Sequence, residues 1–246
     1  MFINEEVCTN CAKCIITCPV GAIVVDRSRK QVTIDQDACV ECGACYRSGS
    51  CEPSALVQPS LSWPRTIRAA LSDPLVVNLG TGIPGRGTEE MKTNDVTGRY
   101  KRGYVGIGVE LGRPGVGASF VDIQVVTRAC AQHRVHFCPQ NPVTYLITDT
   151  ATGDINPEVL SERVLSGIVE FEVPLQQAPA VLETLREVSR QSNTVFSIAV
   201  ISLTDPDGTI PMFPLLSRLG FHPSPNGKNN MGLGRPAYDF AGENRL

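Results

Sequence analysis

The sequence predicts an α+β protein with two modules, a small cysteine-rich one followed by a larger one in which strands and helices alternate. Two observations carry this prediction. Eight of the ten cysteines lie within the first 51 of the 246 residues, and a regular succession of apolar strand and helix patterns begins at Tyr104. With 42% hydrophobic residues, the chain has enough apolar material for a packed core.

Charge and composition narrow the function classes. The formal net charge is −3, from 22 basic and 25 acidic residues, which argues against a nucleic-acid protein with an overall basic footprint. The first residues, MFINEEVCTN, lack a basic segment followed by an apolar one, and no stretch approaches the roughly 20 apolar residues of a membrane helix. We therefore expect a cytoplasmic protein without a membrane span, whose cysteines bind metal and do not form disulfides.

The clustered cysteines form two runs with short gaps. The first run is Cys8-x2-Cys11-x2-Cys14-x3-Cys18, followed directly by Pro19. The second is Cys39-x2-Cys42-x2-Cys45-x5-Cys51, with Pro53 two residues beyond. Zinc ribbons use two C-x2-C pairs, whereas a triplet with a remote fourth cysteine is typical of iron–sulfur ligation. The runs therefore predict iron–sulfur clusters.

The segment at about residues 2–57 resembles the bacterial-type ferredoxin family that carries two [4Fe–4S] clusters. In that family the fourth cysteine of each run ligates the other cluster. The resemblance implies a cluster one held by Cys8, Cys11, Cys14 and Cys51, and a cluster two held by Cys39, Cys42, Cys45 and Cys18. Residues 22–26 and 31–35 should form a hairpin between the runs. The five-residue gap before Cys51, where the family has three, leaves open either a changed exposure of cluster one or a different fourth ligand.

The chemistry of such clusters is electron transfer. Each [4Fe–4S] centre takes up and releases one electron with little change of geometry, and the resemblance favours the low end of the range of roughly −700 to +450 mV. Small residues near the cysteines would let backbone N–H groups approach the sulfurs, although turn formation alone explains them nearly as well. These residues are Ala12, Gly21, Ala22, Ala38, Gly43 and Ala44.

Residues 59–103 are expected to be a linker followed by a glycine-rich segment. A Pro- and Ser-rich stretch contains the single tryptophan, Trp63, which we expect to fix the junction between modules. A short helix at 65–71 and a strand at 75–79 should follow. The next residues formally contain G-x-G-x-x-G at 80–85, but Pro84 and a polar continuation favour a glycine loop that contacts an anion or a partner over a dinucleotide site.

Residues 104–205 are predicted to form the second domain, and 206–246 a Gly-, Pro- and Asn-rich extension. The expected helix at 120–134 places Val121, Val125, Ala129 and Gln132 near one face. A helix at 175–190 has a clear apolar stripe. Strands are expected at 105–111, 143–149, 167–173 and 195–203, with a short helical stretch at 156–164. The order strand, helix, strand, strand, helix, strand is the split βαβ arrangement of ferredoxin-like α+β folds.

Residues 109–116, V-E-L-G-R-P-G-V, followed by a helix, resemble the opening of an ACT domain, and the similarity extends over about residues 105–203. That family binds a small effector, often an amino acid, at the turn between its first strand and first helix. The resemblance implies an effector site on the turn from Gly112 to Gly117.

A further group, Cys130-x2-His133-x2-His136-x-Cys138, holds the two remaining cysteines. Four ligands could converge on zinc or another cluster if the chain folds back between them. A helix end with buried, unligated cysteines is the favoured interpretation, because free cysteine packs as a small hydrophobe.

The leading hypothesis is an electron-transfer iron–sulfur protein of the cytoplasm, with a redox partner protein and an α+β module that selects the partner or senses a ligand. A second hypothesis makes the chain a subunit or accessory factor of an anaerobic oxidoreductase. A third makes it a ligand-responsive regulator that uses the ACT-like turn. The sequence offers no nucleophile–base pair that would make the chain an enzyme by itself.

Overall fold

Short antiparallel pairs of strands build the N-terminal module. The computed structural model of the chain describes residues 1–84, 100–113 and 115–224. The predicted hairpin is confirmed, with Ile23 paired to Ile34 and Asp26 to Gln31. The Asp26 carboxylate closes its turn by accepting a hydrogen bond from the Ser28 N–H at 2.8 Å. The elements of this module are β1 (Phe2–Ile3), β2 (Ile23–Asp26), β3 (Gln31–Ile34), α1 (Ala44–Arg47) and β4 (Leu56–Val57), and β1 pairs with β4.

A helix, α2 (Thr66–Ser72), follows the linker and confirms the prediction of a short helix there. Its Ile67 and Leu71 side chains are buried in the core of the second module. Trp63 lies just before it and donates a hydrogen bond from Nε1 to the Glu158 carboxylate at 2.8 Å. Both contacts tie the linker to the second module.

A four-stranded antiparallel sheet forms the centre of the second module, so the chain is an α+β protein. Its strand order is β12-β5-β11-β7, and in β5 the alternate residues Val105, Ile107, Val109 and Leu111 are fully buried. These side chains share one core with the apolar residues of both long helices. The elements are β5 (Tyr104–Leu111), β6 (Ala118–Ser119), α3 (Phe120–Ala131), β7 (His136–Phe137), β8 (Ile147–Asp149), β9 (Asp154–Ile155), β10 (Arg163–Val164), β11 (Gly167–Pro174), α4 (Ala178–Gln191), β12 (Phe196–Ile201) and α5 (Met212–Arg218).

The prediction of a strand at 143–149 is confirmed only for its last three residues, Ile147–Asp149, which form β8. The strand that pairs with β11 is the two-residue β7, and residues Thr144–Leu146 form a 3-10 turn before β8 pairs with β9 in a separate hairpin. The Asn141 side chain explains the turn, because its Oδ1 accepts the Val143 N–H at 2.8 Å while its Nδ2 donates to Glu170 at 2.7 Å. An apolar run this short has no periodicity that separates a strand from a buried turn.

Two other sequence predictions need correction. Residues 75–79 form no strand beyond a single bridge from Val77 to Pro84, because the Asn78 side chain accepts the Gly80 N–H at 3.0 Å and turns the chain. The helical stretch at 156–164 is only a 3-10 turn, Pro157–Val159, before β10 pairs with β6. The glycine-rich segment is described only as far as Pro84, so the rest of the predicted glycine loop lies outside the described residues.

Helix α3 buries only part of the predicted face, namely Ala129 and part of Val125. Val121 is 53% exposed, whereas Phe120, Ile123, Val126 and Cys130 are buried. The helix begins at Phe120 because Ser119 caps it, its Oγ accepting the Asp122 N–H at 3.1 Å. Two apolar stripes compete along this helix, and the one with the larger side chains, Phe and Ile, faces the core.

The C-terminal part of the described chain packs on the same core. Helix α5 buries Met212 and Leu216 there, and the Arg186 guanidinium lies 4.0 Å over the Phe221 ring. Residues 225–246 lie outside the described residues, and the predicted domain limits stay a prediction. None of the helices in the described ranges is long and apolar enough to cross a membrane.

Gly153, in the β8–β9 hairpin, is expected to be intolerant of a side chain. Its φ is +77°, and an added Cβ would stand 2.4 Å from the carbonyl oxygen of Thr127 in α3. We expect Gly153→Ala to lower the free energy of unfolding by about 2–4 kcal/mol in denaturant titration, from backbone strain plus the clash. Gly208→Ala is the matched control, because Gly208 has φ +84° and nothing within 4 Å of an added Cβ. Equal losses in the two variants would contradict the clash.

Candidate metal centres

The eight N-terminal cysteines line two separate cavities. Cavity one is lined by Cys8, Cys11, Cys14 and Cys51, together with Thr9, Ala12, Val32, Ser50 and Pro53. Cavity two is lined by Cys18, Cys39, Cys42 and Cys45, with apolar side chains that include Met1, Ile23, Ile34 and Val40. Each cavity therefore combines the triplet of one run with the fourth cysteine of the other run.

The local fold explains why the fourth cysteine of each run lies in the cavity of the other run. A 3-10 turn, Ile15–Thr17, carries the chain from Cys14 to Cys18, and Gly21 N–H closes the next turn on the Cys18 carbonyl at 3.3 Å. In the second run, α1 starts at Ala44 and takes the chain away from Cys42 toward β4. The pairing of β1 with β4 brings Cys51 back beside the first run.

The longer gap before Cys51 forms a compact turn. The Ser48 hydroxyl donates to the Cys45 carbonyl at 2.7 Å, and the Ser48 and Ser50 hydroxyls lie 2.8 Å apart. The added residues are absorbed within this turn, and Cys51 still reaches cavity one. The departure from the family spacing thus leaves Cys51 beside Cys8, Cys11 and Cys14.

Backbone N–H groups point at the sulfurs of both cavities. The Ala22 N–H donates to Cys18 Sγ at 3.1 Å, and the Ala55 N–H donates to Cys51 Sγ at 3.2 Å, at the same spacing along the chain. The backbone N–H of Lys13 is the largest influence on Cys11 and lowers the pKa of that thiol. Such hydrogen bonds stabilise thiolate sulfur and tune the potential of a bound cluster.

The two cavities differ in burial. Cys11 is exposed at cavity one, whereas Cys39 and Cys45 are buried at cavity two. Burial raises the pKa of the Cys39 and Cys42 thiols, and that of Cys45 to about 11. A metal that binds these thiols must displace their protons, which couples metal binding to this part of the fold.

The cysteine arrangement fits iron–sulfur clusters better than single ions. Within residues 1–84, 100–113 and 115–224, no group of three or more His, Cys, Asp or Glu side chains is close enough to hold one metal ion. Four thiolates on one zinc ion stand about 3.8 Å apart, as follows from a Zn–S bond of about 2.3 Å, whereas the corners of a cluster stand further apart. Four thiols around one cavity, with N–H donors aimed at the sulfurs, suit a [4Fe–4S] cluster.

The group of Cys130, His133, His136 and Cys138 is dispersed. Cys130 is buried in the core face of α3, and this burial raises the pKa of its thiol. His133 Nε2 lies 2.7 Å from the Thr184 hydroxyl, and His136 Nδ1 lies 3.7 Å from Glu172. The two histidines thus face different partners, and both Cys130 and Cys138 are buried, as expected for a helix end with buried cysteines.

The turn from Gly112 to Gly117 lies against the N-terminal module. A Cβ added at Gly115 would stand 3.2 Å from the Pro19 carbonyl oxygen, and one at Gly117 would stand 3.4 Å from Val20 Cγ1. Pro19 and Val20 also line cavity two. Pro114 lies outside the described residues. The effector site stays a prediction. A ligand bound at this turn would lie beside the loop that follows Cys18.

Comparison with known proteins identifies the N-terminal segment. The family model of the 4Fe-4S dicluster domain matches residues 1–48. No curated protein and no solved structure matches the chain. The N-terminal module is thus of the iron–sulfur ferredoxin type, which indicates a role in electron transfer. The match ends before Cys51 and does not reach the second module, so the ACT-like resemblance is not confirmed.

Proposed function

We propose that this chain is a low-potential electron carrier that relays electrons through two [4Fe–4S] clusters to or from a partner oxidoreductase. One observation carries the proposal. Two cavities each present four cysteine thiols, and the match to a dicluster family covers seven of these eight cysteines. Cluster one is held by Cys8, Cys11, Cys14 and Cys51, and cluster two by Cys18, Cys39, Cys42 and Cys45.

The residues of the chain hold and tune these centres. When bound, each cluster supplies reversible one-electron transfer with little change of geometry. The N–H groups of Ala22 and Ala55 offset negative charge on the ligand sulfurs. The apolar residues of cavity two, such as Ile23, Ile34 and Val40, exclude water from its thiolates.

Cluster one is the contact point for the partner in this proposal. Cys11 is its exposed ligand, and Ile16 lies exposed on the same loop. Since electron transfer requires a close approach of the donor and acceptor, the exposed ligand gives a partner protein the shorter path. We propose the cytoplasm as the compartment, because thiols are kept reduced there.

We further propose an ACT-like fold for the second module. The order β12-β5-β11-β7, with all neighbours antiparallel and with α3 and α4 contributing to one core, supports this assignment. In this arrangement the first and third strands of the series are central, as a split βαβ connection requires.

An anaerobic reductive titration tests the electron-carrier function. We expect the purified full chain to take up about two electrons, one for each cluster, with a cluster EPR signal developing in step. The reduced protein should pass these electrons to a one-electron haem acceptor without any added enzyme. Uptake of fewer than about one electron, or a reduced state that no acceptor oxidises, would contradict the carrier function.

A further inference from the structure

A buried arginine joins cavity two to the second module. Arg68, in α2, is only 4% exposed. Its Nη1 donates to the backbone carbonyls of Cys39 at 2.6 Å, Gln36 at 2.8 Å and Asp37 at 3.3 Å. Its Nε forms an ion pair with the Glu162 carboxylate, just before β10. One side chain thus binds three backbone carbonyls within residues 36–39 and a carboxylate of the second module.

Two more arginines bind the same segment, residues 36–45, which we call the cluster-two loop. Arg65 donates to the Gln36 carbonyl at 3.1 Å and pairs with Glu41 at 2.6 Å. Arg47 donates to the Cys42 carbonyl at 2.7 Å and forms a two-bond pair with Asp73. Every one of these arginines therefore combines a backbone carbonyl of the loop with a carboxylate.

Lys13, the cation beside cavity one, differs from Arg68 in its exposure to solvent. Lys13 pairs with Glu52 at 2.7 Å, and both side chains are largely exposed. Solvent and salt weaken the effect of such exposed charges on their surroundings. Arg68 does not line cavity two, but it is shielded from water and donates to the carbonyl of Cys39, which does line it, so its charge acts there at a lower effective dielectric.

Arg68 acts on cluster two in two separate ways, through its hydrogen bonds to the backbone and through its charge. The planar guanidinium, with five N–H donors, holds the backbone that carries Cys39 and so determines where its thiolate stands. Reduction adds one negative charge to a cluster, and a nearby buried cation favours the reduced form. The Glu162 carboxylate beside Arg68 opposes this effect.

We propose that Arg68 is a positioning residue for cluster two, which anchors the cluster-two loop to the second module and raises the reduction potential of that cluster, with Glu162 limiting the rise. This inference rests on the proposed function. Through Arg68 and Glu162, the second module acts on cluster two and leaves cluster one unaffected.

EPR-monitored redox titration of the full chain tests the proposal. In Arg68→Met the midpoint of cluster two should move to a lower potential, because the buried cation is gone. In Glu162→Gln it should move to a higher potential, because the opposing carboxylate is gone while Arg68 keeps its carbonyl partners. The midpoint of cluster one should stay the same in both. Single-cluster variants, Cys51→Ala and Cys18→Ala, assign the two midpoints.

Arg128→Met is the matched control, because Arg128 pairs with Asp154 at 2.6 Å on an exposed surface of the second module. It should leave both midpoints unchanged. If Arg68→Met loses cluster two alone, positioning is supported, and Glu162→Gln then tests the charge effect. Loss of both clusters, equal shifts of both, or an unmoved cluster two in both variants would overturn the inference. A wild-type chain without clusters would instead refute the proposed function.

Discussion

Replacing Cys18 with alanine is expected to remove the cluster bound by the other run, at Cys39, Cys42 and Cys45. The iron content should fall from about eight to about four atoms per chain, with an equal loss of acid-labile sulfide. The physical reason is the placement of Cys18 in cavity two, where its sulfur accepts the Ala22 N–H. Without Cys18, one iron of that cluster has no thiolate ligand, and we expect the cluster to dissociate.

Two double variants decide which cluster depends on Cys18. If Cys18 and Cys42 serve the same cluster, Cys18→Ala with Cys42→Ala should still hold about four iron atoms, whereas Cys18→Ala with Cys11→Ala should hold almost none. Ligation within each run would give the reverse pattern. Cys130→Ala is the control cysteine variant and should keep about eight iron atoms, because Cys130 lies buried in α3 away from both cavities.

Truncation of Phe171 is expected to cause the largest loss of stability in the second module. Phe171 is almost fully buried in the central strand β11, and its ring meets Phe137 of β7 edge-on, with centroids 6.2 Å apart. Phe171→Ala should lower the free energy of unfolding by about 3–5 kcal/mol, because it leaves a cavity between the sheet and the helices. Denaturant titration followed by far-UV circular dichroism measures this loss.

Phe213→Ala is the matched control, because it makes the same substitution at an exposed position. Phe213 lies in α5 and is 52% exposed, so its truncation removes little buried area and should cost less than about 1 kcal/mol. A loss for Phe171→Ala that is no greater than that for Phe213→Ala would contradict the packing described for the sheet. The iron content of both variants should remain that of the unmodified chain.

Cysteine spacing indicated an iron–sulfur module, which the match to the 4Fe-4S dicluster domain supports, because the relevant signals are local. Gaps of two residues bring three thiols around one point, and the hairpin between the runs follows from its β-branched residues. The exchange of Cys18 and Cys51 between the cavities was implied only by family resemblance, since spacing along a run says nothing about the other run. In the folded chain, Cys18 lines cavity two with the triplet of the second run, and Cys51 lines cavity one with the triplet of the first run.

The errors in the second module have non-local causes. Strand β7 is two residues long, which is too short for a periodic pattern. The sequence therefore predicts this strand at the apolar residues 143–149 instead. The Asn141 side chain, which turns that segment, is held by its hydrogen bond to Glu170, 29 positions further along the chain. Long strands and α4 were predictable because their alternation or helical stripe is continuous.

The role of Arg68 could not be predicted for a similar reason. In the sequence it is one basic residue in a short helix, and its partners are backbone carbonyls about 30 positions away and a carboxylate 94 positions away. Every residue has a backbone carbonyl, so the residue types in the sequence do not indicate which carbonyls will accept hydrogen bonds. Only the folded chain shows that Arg68 binds the cluster-two loop. The same holds for the position of Gly115, where an added Cβ would stand 3.2 Å from the Pro19 carbonyl oxygen.

The most direct test of the central claim, that this chain holds two [4Fe–4S] clusters, is a count of metal and sulfide in anaerobically purified full-length protein. We expect about eight iron atoms and about eight acid-labile sulfides per chain, with no zinc. About four of each would mean that only one cavity holds a cluster, and zinc without labile sulfide would contradict iron–sulfur ligation altogether.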